Sequence, residues 1–112
     1  PLAEREIDRA AALAAEGDDP IGVVEAARLR ALLEFGRGNA DAALRKALAA
    51  RSEARDLGSA LLEAECATVA ARAARQLDRD EEADRLREEA VAGLTRLGAE
   101  GLLERFRNDW GA

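Results

Sequence analysis

The chain contains no histidine, tyrosine or methionine, and it has only one cysteine, one lysine and three aromatic residues. Without histidine there is no imidazole to serve as a general base or to activate Ser52, Ser59 or Cys66 as a nucleophile. Transition-metal sites need histidine or paired cysteines, so the supply of ligands excludes them. The single lysine, Lys46, lies within a helical stretch and does not follow a glycine-rich phosphate loop. We therefore expect no catalytic residues, no metal site and no cofactor.

Long apolar runs are also missing. No stretch approaches the roughly 20 residues needed to cross a bilayer, and no signal peptide precedes the first predicted helix. Cys66 has no second cysteine to pair with, which is typical of a reducing cytosol. Acids outnumber bases by 23 to 17 and are interleaved with them, so binding to nucleic acid or to anionic membranes is disfavoured. The sequence favours a cytoplasmic chain whose partner is a protein or peptide.

Helix-favouring residues dominate the composition. There are 28 Ala, 16 Leu, 16 Arg and 14 Glu, together 74 of the 112 residues, and all four types have high helix propensity. Clusters of glycine, proline, aspartate and asparagine divide the chain into helical stretches. The pattern predicts an all-α fold of about six helices in a single domain, 1–112. We expect a partial unit (3–16), a hairpin (20–57), a second hairpin (59–97) and a closing helix (101–109).

The third and fifth predicted helices match when the sequence is shifted by 40 residues. The matched pairs are Ala43 with Ala83, Ala50 with Ala90, Leu57 with Leu97, and Gly58 with Gly98. One hairpin cannot bury both faces of its inner helix, so repeated hairpins stack into a solenoid. An alanine stripe on the fourth helix suits close stacking of helices. An ordinary helical bundle with an alanine-rich core is the alternative that composition leaves open.

These residues resemble a tetratricopeptide repeat, whose unit contains two helices joined by a turn. The matching segments are Gly38-Asn39 with Ala43 and Ala50, and Asp78-Arg79 with Ala83 and Ala90. The 40-residue spacing exceeds the family's usual 34 and is similar to the looser repeats of bacterial regulators and cyclases. The resemblance implies a short right-handed solenoid of stacked antiparallel hairpins that acts as a scaffold for protein–protein contact.

The chain also departs from the family pattern. Large aromatics are missing from the first helices, and no proline follows either hairpin. Asp78 stands where a turn glycine is expected, and Gly36-Arg37-Gly38 implies one extra residue in the first turn.

In the family's architecture the first helix of each hairpin lines a concave groove. The residues that we expect to face this groove are Glu34, Phe35, Glu65, Thr68, Arg72, Arg75 and Gln76. Arg72 and Arg75 lie three apart on one face, and neither has an acid four residues earlier on its helix. An unpaired arginine pair would suit a peptide that carries a carboxylate. Solvation, or pairing with acids of the next helix, is the alternative.

The last helix offers a second candidate surface. Leu102, Phe106 and Trp110 lie on one face if the helix continues to its end. This face either caps the last hairpin or forms an end-face contact with another copy or a following domain.

The interpretation favoured by these features is a non-catalytic protein-interaction module with a regulatory role. Pro1 in place of methionine, together with 16 arginines against one lysine, predicts a segment of a larger bacterial protein. Two alternatives stay open. One is a self-association module that forms a homodimer through its end helices. The other is an accessory domain of an enzyme or transcription activator whose active part lies outside this segment.

Overall fold

The structure is a computed structural model that describes residues 2–111; Pro1 and Ala112 lie outside the described residues. Within that range the chain forms six helices and no strand, which confirms the all-α prediction. The helices are α1 (Leu2–Glu16), α2 (Pro20–Gly36), α3 (Ala40–Asp56), α4 (Ala60–Gln76), α5 (Asp80–Arg96) and α6 (Glu100–Gly111). We call α2 and α3 the first hairpin, and α4 and α5 the second hairpin.

Three-residue turns join all consecutive helices, so helices begin every 20 residues from Pro20 to Glu100. The middle residue of each turn has a positive φ; these residues are Asp18, Gly38, Gly58, Asp78 and Gly98. The next residue donates its N–H back into the helix, as Ser59 does to the Ala54 carbonyl at 2.9 Å. This hydrogen bond satisfies a carbonyl at the helix end. Glycine adopts the required φ without a steric penalty, so the Leu-Gly pairs of the sequence end their helices.

The extra residue expected at Gly36-Arg37-Gly38 is absent, and that expectation was wrong. Gly36 is the last residue of α2, in the position that Gln76 holds in α4, and both following turns contain three residues. Glycine often marks a turn, but at Gly36 it continues the helix. In the second hairpin Asp78 takes the place of the turn glycine with φ of 60°, since aspartate tolerates the left-handed region better than most residues.

Each helix packs on the next helix in the chain, and α2 also contacts α4. Short turns make neighbouring helices antiparallel, so α2, α4 and α6 run in one direction and α1, α3 and α5 in the other. This successive pairing produces a small solenoid-like stack. The middle helix α4 buries nine of its 17 residues, six of them alanines. Small side chains let the helices approach closely: a Cβ added to Gly93 would lie 3.1 Å from the Ala64 Cβ.

Residues 40 positions apart have the same environment in the two hairpins. Ala43, Ala50, Ala83 and Ala90 are each at most 1% exposed. At the turns that follow α3 and α5, Leu57 and Leu97 are 42% and 44% exposed. The match between α3 and α5 in the sequence therefore corresponds to equivalent positions in the stack.

Candidate functional site

A groove runs between the parallel helices α2, α4 and α6. It consists of two clefts of about 410 and 220 Å³ that have Arg72 and Asp109 in common. The residues of α2, α4 and α6 that line it, which we call the groove, are Arg28, Leu32, Phe35, Glu65, Thr68, Val69, Arg72, Arg75, Gln76, Leu102, Arg105, Phe106, Asp109 and Trp110. On α2 the spacing of Arg28, Leu32 and Phe35 is four and then three residues, which places them on one face.

Arg72 lies at the centre of the groove and contacts both neighbouring helices. Its Cζ atom is 4.7 Å from the centroid of the Phe35 ring on α2. A guanidinium at this distance over an aromatic face gains cation–π attraction. Its Nη1 atom is 3.8 Å from Oδ2 of Asp109 on α6, a long ion pair that leaves most of the guanidinium's five N–H donors unused.

Arg75 makes the corresponding contact with the end of α6. Its Cζ atom is 4.7 Å from the centroid of the Trp110 ring, and Nη1 donates a hydrogen bond to the Trp110 backbone carbonyl. No carboxylate of residues 2–111 forms an ion pair with it within 4.0 Å. The Trp110 ring in turn packs at 5.8 Å from the Phe106 ring. Two arginines of α4 are thus each held over an aromatic ring of a neighbouring helix.

Glu65 and Arg28 form the deeper end of the groove. Arg28 Nε lies 3.7 Å from Oε2 of Glu65, and Arg28 also pairs with Glu25 of its own helix. Burial raises the pKa of the Glu65 carboxyl, although the charge of Arg28 opposes this shift. The hydrogen bonds that Arg28 donates to the Glu25 carboxylate raise the pKa of Arg28, which keeps that side chain charged. The Thr68 hydroxyl donates to the Glu65 carbonyl at 2.6 Å.

Six of the seven residues expected in the groove line it, and Glu34 does not. Adjacent residues on a helix point about 100° apart, so Glu34 and Phe35 face different sides. The Glu34 carboxylate lies 3.7 Å from Lys46 Nζ on α3 and 3.7 Å from Arg37.

Leu102, Phe106 and Trp110, expected as a separate end face, lie along the same groove. Phe106 is only 4% exposed and belongs to the core, whereas Trp110 packs against that core and stays partly exposed.

Sequence reasoning missed five groove residues, which are Arg28, Leu32, Val69, Arg105 and Asp109. The position of Arg28 seven residues before Phe35 is a usable signal, because residues at that spacing share a helix face. No local pattern identifies Asp109, since its role depends on how α6 packs beside α4.

Cys66 is fully buried. Burial raises the pKa of its thiol to about 12, so the nucleophilic thiolate is scarce at neutral pH. The thiol therefore acts as a small apolar group in the core between α3 and α4, next to Ala50 and Leu62.

Comparison with protein-family models, with curated proteins and with solved structures finds no match to this chain. Between residues 2 and 111, none of the helices combines the length and the apolar character needed to span a membrane. The geometry of the groove is therefore the basis for assigning a function.

Proposed function

We propose that this chain is a non-catalytic interaction module that binds a carboxylate-bearing peptide segment of another protein in the groove. The observation that carries the proposal is the pair of guanidinium groups held over aromatic rings in an open groove: Arg72 over Phe35 and Arg75 over Trp110. An arginine restrained in this way loses little entropy on binding and presents a planar fork of donors, which matches a carboxylate.

The charge of the groove agrees with such a ligand. Its helical lining contains four arginines and only two carboxylates, Glu65 and Asp109, and a third, Asp78, lies at its edge. The whole chain carries a net charge of −6. A local excess of positive charge on an acidic protein attracts an acidic segment to this one surface.

The type of scaffold and its cellular location are part of the same proposal. A stack of short antiparallel helices with a 40-residue repeat is compatible with a tetratricopeptide-like scaffold. We infer a bacterial cytoplasmic setting from the arginine-rich composition and the single thiol, and we propose that the module is part of a larger regulatory protein.

A selection experiment tests the proposed function. A random dodecamer peptide library displayed on phage is selected against the wild-type chain, and recovered peptides are synthesised and titrated by fluorescence anisotropy. We expect a class of acidic peptides whose affinity falls at least about tenfold for Arg72→Ala combined with Arg75→Ala, since two charge-assisted contacts are lost.

The matched control is Arg45→Ala combined with Arg85→Ala, which removes the same charge from exposed positions outside the groove. If the control weakens the acidic peptides as much as the groove variant does, the attraction is to net charge alone and the proposed site is wrong. Failure to recover any acidic class would also contradict the proposal.

Self-association is a second candidate, and the cleft between α5 and α6 favours it. This cleft has a volume of about 560 Å³, and its lining combines the apolar side chains of Val91, Ala92, Phe106 and Trp110 with the charged side chains of Arg87, Glu88 and Arg107. Light scattering after size exclusion, over a concentration series, distinguishes the two functions. A dimer that Trp110→Ala disrupts would favour self-association, whereas a monomer at all concentrations would leave the groove as the binding site.

A further inference from the structure

A second cleft, separate from the groove, opens at the end of the first hairpin. It lies between the α1–α2 turn and the last turn of α3 and has a volume of about 400 Å³. Its lining residues, which we call the acidic cleft, are Ala14, Ala15, Asp18, Asp19, Pro20, Val23, Val24, Glu53, Asp56 and Leu57. None of them lines the groove.

The inner surface of the acidic cleft is apolar. Val24 is 2% exposed and forms its base, and Val23 beside it is half-buried. Leu57 projects from the turn after α3 and is 42% exposed. An aliphatic side chain of a partner can pack against these three residues. Such packing would cover Leu57 and remove apolar surface from water.

The rim has the opposite character, with four carboxylates and no lysine or arginine. Asp19 already has a hydrogen-bond partner in α2, because its carboxylate accepts a hydrogen bond from the Gly22 N–H at 3.0 Å and caps that helix. Within residues 2–111, no basic side chain lies within 4.0 Å of the carboxylates of Asp18, Glu53 or Asp56.

Two of these acids stand where a helix disfavours them. Glu53 and Asp56 lie in the last turn of α3, where the unpaired carbonyls already carry partial negative charge. The basic residue of that turn, Arg55, makes its close contact elsewhere, since its guanidinium bonds to Glu63 of α4 at 2.9 Å, and Asp56 acts on it only at longer range. The chain thus offsets this negative potential with no close ion pair of the described residues beside the apolar surface.

The second hairpin contains the equivalent cleft, shifted by 40 residues, and there the chain provides its own cations. This counterpart cleft, about 330 Å³, has Arg55 in the place of Ala15 and Arg96 in the place of Asp56. Arg55 pairs with Glu63 at 2.9 Å and with Glu89 at 3.8 Å. The same place in the acidic cleft is open, because Ala15 has only a methyl group.

We propose that the acidic cleft docks a short segment of another protein in which an aliphatic side chain is flanked by arginine or lysine. The aliphatic group packs on Val23, Val24 and Leu57. The basic group lies on the rim, near Glu53 and Asp56, and supplies the positive charge that Arg55 and Arg96 supply in the counterpart cleft. This surface is independent of the groove, and its ligand has the opposite charge.

The test uses the same random dodecamer phage library, and the recovered peptides are titrated in low and high salt. We expect a class that combines a basic residue with an aliphatic one and that loses at least about tenfold in affinity for Glu53→Gln combined with Asp56→Asn. The matched control is Glu81→Gln combined with Asp84→Asn, which changes the same residue types at the same spacing on the exposed surface of α5. It should leave binding unchanged.

A gain of positive charge provides the complementary variant. Ala15→Arg places a guanidinium of the chain itself in the acidic cleft, at an exposed position, and should abolish binding of this class. Arg72→Ala combined with Arg75→Ala should have no effect, which separates this result from the proposed function of the groove. Recovery of no basic-aliphatic class, equal binding by the Glu53/Asp56 variant, or equal binding by oligolysine without an aliphatic residue would overturn the proposal.

Discussion

The acidic cleft of the first hairpin and the counterpart cleft of the second occupy the same place in the backbone, 40 residues apart. Each lies beside the turn that leads into its hairpin, and each has a half-exposed leucine at its edge, Leu57 or Leu97. Their charges differ. In the counterpart cleft Arg55 forms ion pairs with Glu63 and Glu89, whereas the charged side chains that line the acidic cleft are all carboxylates.

This difference shows that the repeat preserves the backbone and its buried small residues but not the charged surface between units. Alanine recurs at two buried pairs, Ala43 with Ala83 and Ala50 with Ala90, because a larger residue there would push the helices apart. Charged residues at the edge are free to vary, since exposed ion pairs contribute little to stability. The positions at which the two hairpins differ are therefore better indicators of function than the positions at which they agree.

The largest expected effect concerns Leu94, a buried residue of the second hairpin. The equivalent residue of the first hairpin, 40 positions earlier, is Ala54. Leu94→Ala should lower the free energy of unfolding by about 2–5 kcal/mol, because it removes a fully buried side chain and leaves a cavity. Urea unfolding measures the change. Leu97→Ala, three residues later but 44% exposed, should cost far less. Equal losses for the two variants would mean that Leu94 is not packed as described.

The next effect concerns the turn inside each hairpin, which uses Gly38 in the first and Asp78 in the second. Gly38→Ala should destabilise by about 1–2 kcal/mol, because Gly38 has φ of 84° and a side chain is strained there. Space is not the cause, since an added Cβ meets no atom within 4 Å. Asp78→Gly should be neutral or slightly stabilising, because glycine relieves the strain at φ of 60°.

Gly36→Ala is the control for this prediction. Gly36 lies two residues before Gly38 but within α2, where alanine is favoured over glycine by about 0.5–1 kcal/mol. The two substitutions should therefore shift the thermal midpoint in opposite directions. Shifts of the same sign would contradict the assignment of the turn.

A smaller effect is expected from exchanging the charges at the ends of α3 and α5. Asp56→Arg should stabilise by about 0.3–1 kcal/mol at low salt, because a positive side chain is favoured at a helix C-terminus. Arg96→Asp, the reverse change at the equivalent position, should destabilise by a similar amount. Both shifts should shrink in high salt. If Asp56→Arg destabilises instead, Asp56 has a favourable partner and the acidic cleft is not uncompensated.

The smallest effect concerns Glu25 and Glu65, which are equivalent positions that both face Arg28. Burial raises the pKa of Glu65 above its ordinary value of 4.5, so the folded protein binds a proton there more tightly than the unfolded chain. Stability should therefore fall as the pH rises from that value through the raised pKa. Glu65→Gln should reduce this slope, as followed by urea midpoints from about pH 4 to about pH 7. Glu104→Gln, at an exposed site, should leave it unchanged.

Much of the architecture follows from local chemistry. The limits of the helices are set by residues such as Pro20 and Gly58, which begin or end a helix through their own backbone preferences. The buried alanines of α3 and α5 follow from helical periodicity, and Phe35, Arg72 and Arg75 follow from the expected face of each first helix. Where local reasoning failed, at Gly36, the same residue type was compatible with both a helix and a turn.

The amino-acid sequence alone was sufficient for the helical class, the repeat and most of the groove on α2 and α4, because these depend on interactions within one helix or one turn. Only the tertiary structure placed Asp109 and Trp110 of α6 beside the two arginines, turned Glu34 towards Lys46, and brought the end of α3 against the α1–α2 turn. Such contacts join residues more than 30 positions apart, except for Glu34 and Lys46. They depend on the rotation and packing of whole helices, which no local pattern specifies.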